Sequence, residues 1–306
     1  MKIAVVTGGT SFIGAQTVRL LLSKSYKVFA IVREGSKNLA ALPENSNLQI
    51  VMADMWDTDK WINAIGNADL FFHLGWDGVG AEGRANIAVQ NKNIDMTLAC
   101  LKGASLLRCS RFVFAGTQAE YGEHFDEITE ETPCNPIIEY GKAKLAVYQK
   151  ASILAKKLNI QYIHTRIFSV YGKGDHEWAL IPSCVKAFCK NESIALSHCT
   201  QKWNFMHVSD TAAALVALAQ SEKSAKYDLY NVASADTRVL KEFVKTIYSL
   251  TGCNAELQFG SRLNMREKPV SLMPSVSRLT EVCNFKACIS FENGIQELIA
   301  LERKKV

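Results

Sequence analysis

No apolar run in this chain of 306 residues approaches the roughly 18 to 20 residues that a membrane-spanning helix needs. No membrane partner is therefore expected. The opening stretch MKIAVVTGG lacks a signal-peptide layout, because its apolar run is short and leads into glycines. It reads as the first strand of a cytoplasmic protein. The nine cysteines are scattered and include no CxxC pair, which speaks against a disulfide framework and a structural zinc site. They fit small buried thiols in a reducing compartment. The six histidines form no metal-ligand pair at short spacing, so no metal is expected. No basic tract or finger motif points to nucleic acid. The net charge of +5 is mild, though it suits a polyanionic small molecule. Internal repeats and low-complexity linkers are also missing.

What is present is a soluble globular composition with a regular alternation. KIAVVT (2–7), KVFAIV (27–32), LQIVMAD (48–54), ADLFFHL (68–74), RFVFAG (111–116) and IQYIHTRI (160–167) are β-rich runs. Between them lie segments of helical spacing at 12–24, 58–66, about 86–102 and about 140–158. Repeated βα units predict an α/β fold with a Rossmann-type, doubly wound parallel sheet. Beyond about Gly172 the rhythm loosens, with helices expected near 178–190, 209–220, 239–251 and 291–303. We expect residues 1–172 to be a dinucleotide-binding domain carrying the catalytic residues. Residues 173–306 would form mainly a smaller, mixed α/β substrate-binding lobe, with some segments returning to the main sheet.

The turn TGGTSFIG (7–14) joins the first strand to the first helix. Glycines let the backbone turn tightly and approach a pyrophosphate, while the helix N-terminus offers free N–H groups and a positive dipole end. Gly8 and Gly14 frame the turn, and Ser11 stands where a second glycine is usual. Thr10, Phe12 and Ile13 complete the candidate cofactor-binding stretch. The end of the second strand should meet the adenosine ribose. An acid there favours NAD, but this chain has Arg33 in IVREGSKN. Arg33 suits a 2′-phosphate, so NADP(H) is preferred and NAD(H) stays possible; a solvated loop arginine is the bland alternative. Asp54, after the third strand, is placed to accept from the adenine amino group.

The stretch EYGKAK (139–144) puts Tyr140 four residues before Lys144, on one helix face. Together with FVFAGTQAEYG (112–122), HLG (73–75), Asn93, TRIFSVYGKG (165–174) and KWNFMHVSD (202–210), the pattern resembles an extended short-chain dehydrogenase/reductase. The kind is the NAD(P)-dependent sugar-nucleotide epimerase/dehydratase family, and the resemblance runs the whole length. It implies a general acid/base role for Tyr140, whose phenolate Lys144 and a nicotinamide ring would favour. Lys144 would also bond the nicotinamide ribose. Thr117 would hydrogen-bond the reacting oxygen, and Asn93 would support the site. Met55 and Leu74 would line the cofactor.

Departures from that pattern narrow the reaction. Dehydratases of this kind carry an Asp-Glu pair after the Ser/Thr, but Gln118 and Ala119 follow Thr117 here. Glu120 comes one place later and should point elsewhere. Candidate substrate-binding residues are Thr117, Gln118, Ser169, Lys202, Trp203 and Arg266. Trp203 and Arg266 have equal claims as a core tryptophan and a surface arginine. The expected activity is NAD(P)-dependent oxidoreduction of a nucleotide-linked sugar, first as reduction of a 4-keto-6-deoxy hexose at C4. A sugar-nucleotide 4-epimerase with retained NAD is the alternative, and a non-catalytic dinucleotide sensor a remote one. The resemblance also implies a homodimer built on helices 86–102 and 140–158.

Overall fold

A computed structural model describes residues 1–36, 38–226, 228–262 and 270–305. Seven parallel strands make the main sheet: β1 (Ile3–Thr7), β2 (Lys27–Val32), β3 (Leu48–Met52), β4 (Leu70–His73), β5 (Arg111–Thr117), β6 (Gln161–Ile167) and β9 (Leu229–Val232). The spatial order is β3-β2-β1-β4-β5-β6-β9. The chain runs outward from β1 through β2 to β3, then crosses to β4 on β1's other side. That reversal opens a crevice above the strand ends, the usual ligand position in such sheets. The outermost strand, β9, pairs with β6, so a late segment does return to the main sheet.

Strands buried on both faces read as continuous apolar runs rather than alternations. All of β4 and four of the five β1 residues are buried. One face packs on α1 (Phe12–Ser23), α7 (Val208–Gln220) and α9 (Ser277–Cys283) through residues such as Val18, Leu21, Leu215 and Leu279. The other packs on α2 (Thr58–Ile65), α4 (Ile87–Leu106) and α5 (Glu139–Lys157) through Trp61, Ile94, Leu101 and Val147. Between β4 and α4 lies a short helix, α3 (Ala81–Ala85).

A second, mixed sheet has the order β10-β8-β7: β7 (Ser169–Tyr171) lies parallel to β8 (Lys202–His207), and β10 (Thr237–Val239) antiparallel to it. It shares a separate core with α6 (Leu180–Cys189), α8 (Leu240–Thr251) and α10 (Phe291–Arg303), centred on Phe188, Phe205, Phe243 and Phe291. Sequence periodicity missed α3 and α9 because each spans two turns or fewer, too short to display a period.

Candidate active site

The site forms where β1, β4 and β5 end together. Gly8 leaves β1 with φ +66°, a left-handed backbone that only glycine adopts readily. A side chain at Gly8 would lie 2.6 Å from the Gly75 nitrogen, and one at Gly14 would collide with the Gly8 carbonyl. Ser11 caps α1 by accepting from the Gly14 N–H at 3.2 Å. Serine at the middle position therefore anchors the turn, because an N-cap hydroxyl satisfies a helix-terminal donor. Beneath the turn, His73 bonds Thr7 (2.8 Å) and Thr97 (3.1 Å). Burial first, and the nearby Lys144 charge second, push its imidazole down to about 3, so it stays neutral.

Tyr140 opens α5 beside the end of β5. Gly141 makes this approach possible, since a side chain there would sit 2.5 Å from the Ala119 carbonyl oxygen. Thr117 accepts from the Ala119 N–H at 3.3 Å, which leaves its own proton to donate. Lys144 is buried and donates to the Ala115 carbonyl at 2.5 Å. Its Nζ lies 3.7 Å from the Trp76 ring centroid, 4.5 Å from that of Phe114 and 5.7 Å from that of Tyr140. The structure thus brings Thr117, Tyr140 and Lys144 together.

A family model described as the NAD dependent epimerase/dehydratase family matches residues 4–233. The chain belongs to this family. It is an enzyme of the extended short-chain dehydrogenase/reductase type. Among curated relatives, UDP-arabinose 4-epimerase 1 of Arabidopsis thaliana is 27% identical over 83% of this chain and 68% of that protein. CDP-abequose synthase of Salmonella muenchen is 22% identical over 98% of both. The solved UDP-glucuronic acid 4-epimerase of Bacillus cereus in complex with NAD superposes with a TM-score of 0.85 at 19% identity, covering 99% of this chain and 96% of that one. That likeness shows the fold.

The epimerase/dehydratase family's dinucleotide fits the phosphate end of this crevice. A side chain at Gly8 would strike the Gly75 backbone and one at Gly14 the Gly8 carbonyl, so glycine at both places lets the turn close tightly at the start of α1. Thr10, Ser11, Phe12 and Ile13 lie at the start of α1, with the Thr10 hydroxyl 3.2 Å from that of Ser36. Met55 is buried and would lie 2.5 Å from a side chain at Gly75, and Leu74 is buried at the end of β4. Asp54 is exposed and accepts from the Trp56 N–H at 3.0 Å.

Other placements bear on the expected roles. Arg33 is paired with Asp77 at 2.8 Å. Asn93 supports the site from α4. It accepts from the Asp77 N–H at 2.9 Å and donates to the Asp77 carbonyl at 3.0 Å, clamping the loop after β4. Burial raises the Tyr140 phenol above its ordinary value, against an opposing pull from the Arg84 charge and a Thr117 hydrogen bond, while Glu120 raises it further. Burial pushes the Lys144 ammonium down to about 7, against the pull of the Glu120 charge.

Glu120 does point away, as expected. Fully buried, it bonds the Thr117 N–H (2.9 Å), His164 (3.0 Å) and Arg166 (2.9 Å). Burial opposes its ionisation, but first His164 and then Arg166, each by charge and hydrogen bond, hold the carboxyl below its usual range. Burial pushes His164 itself below its ordinary value, against the opposing charge and hydrogen bond of Glu120.

The substrate-binding candidates are scattered. Gln118 follows Thr117 in a single turn of 3-10 helix, 118–120. Ser169 starts β7, and Lys202 is exposed at the start of β8. Trp203 packs against both the C-terminal core and the small Tyr121/Phe168 cluster, which favours the packing role. Arg266 lies outside the described residues.

Sequence reading missed Trp76, Asp77, Arg84 and Gln90. One signal was available: Gln90, Asn93 and Thr97 are polar at helical spacing, and all are buried. A buried polar stripe must satisfy its hydrogen bonds, and this one does so by holding the site loops.

Proposed function

We propose that this protein is an NADP(H)-dependent reductase of a nucleotide-linked 4-keto-6-deoxy hexose, with Tyr140 as the general acid at C4. The observation that carries the reading is the placement of Tyr140, at the start of α5, beside Thr117, where burial raises its phenol above the ordinary value. Reduction of a ketone requires a proton on the nascent alkoxide oxygen, and a neutral phenol is its donor. When bound, the cofactor supplies the hydride. Thr117, which accepts from the Ala119 N–H and keeps its own O–H as a donor, would donate to the same oxygen and orient it. Lys144 would hold the nicotinamide ribose, Arg33 the 2′-phosphate and Asp54 the adenine. Glu120 cannot supply the missing dehydratase acid, since it is sealed against Arg166 and His164. The similarity to CDP-abequose synthase and to nucleotide-sugar epimerases supports a nucleotide-sugar substrate.

A second reading, a 4-epimerase with retained NAD, is favoured by the Arg33–Asp77 pair, which occupies the arginine that would recognise NADP. A homodimer through α4 and α5 is proposed alongside, and light scattering that finds a monomer would remove it.

The test supplies a nucleotide-linked 4-keto-6-deoxy hexose with NADPH. Stoichiometric loss of NADPH absorbance is expected, with cofactor deuterium recovered at C4 of the product. Tyr140→Phe should lower turnover by ~100- to 10,000-fold while leaving cofactor affinity nearly unchanged. Interconversion of C4 epimers without net NADPH consumption would decide for the epimerase. Near-normal turnover by Tyr140→Phe would end the assignment of its role.

A further inference from the structure

We propose that Trp76 is a positioning residue of this enzyme: its indole, pinned by the buried amide of Gln90, holds the Lys144 ammonium where the nicotinamide ribose has to meet it. The inference rests on the proposed function only in taking Lys144 as the residue that binds that ribose.

Lysine carries its charge on a flexible four-carbon stem, so an ammonium that serves one ligand group has to be aimed. Lys144 is buried, and three groups surround its charge. The Ala115 carbonyl accepts from Nζ at 2.5 Å. The Trp76 ring centroid lies 3.7 Å from Nζ and that of Phe114 4.5 Å. An ammonium over a ring is attracted to its negative face, best over tryptophan and more so where water is excluded. Trp76 is both the nearer ring and the stronger kind.

A ring can aim a charge only if it is itself fixed. Trp76 follows β4 in a loop and is half-buried, yet three elements hold it. Its indole N–H donates to Gln90 Oε1 on α4 at 2.9 Å. The Gln90 Nε2 donates to the Gly83 carbonyl at 2.8 Å and the Gly78 carbonyl at 3.2 Å, which folds the loop 76–83 around the amide. Gly78 has φ +71°, and a side chain there would crowd Val89 and Gln90. The indole then meets Phe114 of β5 at 6.0 Å between centroids and 64° between planes. It meets Tyr140 of α5 at 6.1 Å and 90°. Edge contacts of this kind are favourable and directional. A ring that only filled space would need no anchor for its N–H. Here a buried glutamine commits both ends of its amide to the indole and to its loop, so the plane over Lys144 is set.

Two measurements on the full chain test this. The first locates the ammonium by NMR of carbon-13-labelled lysine, with the Lys144 signal assigned by its loss in Lys144→Met. Its ε-methylene protons should resonate upfield of the other lysines and move downfield in Trp76→Ala. The second is calorimetric titration with NADPH and with NADH. Trp76→Ala should weaken binding by about 5- to 30-fold, and Gln90→Leu, which keeps the indole but frees it, by about 2- to 10-fold. In a Lys144→Met background Trp76→Ala should add less than about twofold, because the residue through which it acts is gone. A merely structural role would give the same loss in both backgrounds. If circular dichroism shows that Trp76→Ala does not fold, the same comparison with Trp76→Phe decides. An unmoved Lys144 signal, full affinity in Gln90→Leu, or equal losses with and without the lysine would overturn the proposal. Failure of the Lys144 role itself would appear separately, as unchanged cofactor affinity in Lys144→Met alone.

Discussion

Arg33 and Asp77 reach toward each other from the ends of β2 and β4 and close a 2.8 Å ion pair beside the end of β1, the strand that carries the glycine turn. The aspartate backbone is held in turn by Asn93. A residue expected to greet a 2′-phosphate is therefore already occupied by an anion of the chain itself. Both side chains are substantially exposed, 58% and 37%, so the pair is weak and screened by salt.

Asp77→Asn should release Arg33. The ratio of NADPH to NADH affinity is expected to rise by a factor of about 2 to 5, more at low salt than at high salt. Fluorescence titration with both cofactors reads the ratio. Arg33→Asp should reverse it. An unchanged ratio in Asp77→Asn would show that the pair does not govern cofactor choice.

Lys144 should leave a signature in the dependence of stability on pH. Its folded-state value, about 7, lies below the ordinary 10.5, so between these limits the unfolded chain binds more protons than the folded one. Stability then rises with pH across that window, and the gain is lost as pH falls toward 7. In Lys144→Met this contribution is missing. Urea unfolding from pH 7 to 10 should show wild type gaining on the variant by a kilocalorie or more per mole. Parallel curves would mean that the ammonium keeps its ordinary value in the fold.

Glu120→Gln keeps an oxygen for the Thr117 N–H but removes the charge that Arg166 faces in a dry interior. Breaking a buried pair from one side costs on the order of 3–5 kcal/mol, readable as a lowered urea midpoint. A loss below about 1 kcal/mol would show that water or another group compensates Arg166. Adding Arg166→Met to Glu120→Gln should recover part of the loss, because no charge is then left buried alone.

The doubly wound sheet was legible because parallel strands buried on both faces leave continuous apolar runs, and turns such as TGGTSFIG punctuate them. Observed strand and helix ends fall within a few residues of the expected ones from β1 to β6. The later strands were harder. β7 and β10 have three residues each, and strands that short carry too little pattern to be told from loop. Of the site, the residues tied to a turn or to fixed helical spacing could be read in advance: Gly8, Gly14, and Tyr140 with Lys144.

The sequence by itself determined that a glycine turn would open a Rossmann crevice and that Tyr140 and Lys144 would share a helix face, because both follow from local backbone geometry. Only the tertiary structure decided which charges those groups feel. Arg33 finds Asp77 across 44 residues, Glu120 finds His164 and Arg166 across 44 and 46, and Arg84 comes over Tyr140 from a five-residue helix. Electrostatic coupling depends on distance and burial, and both are set by how distant segments pack rather than by their order along the chain.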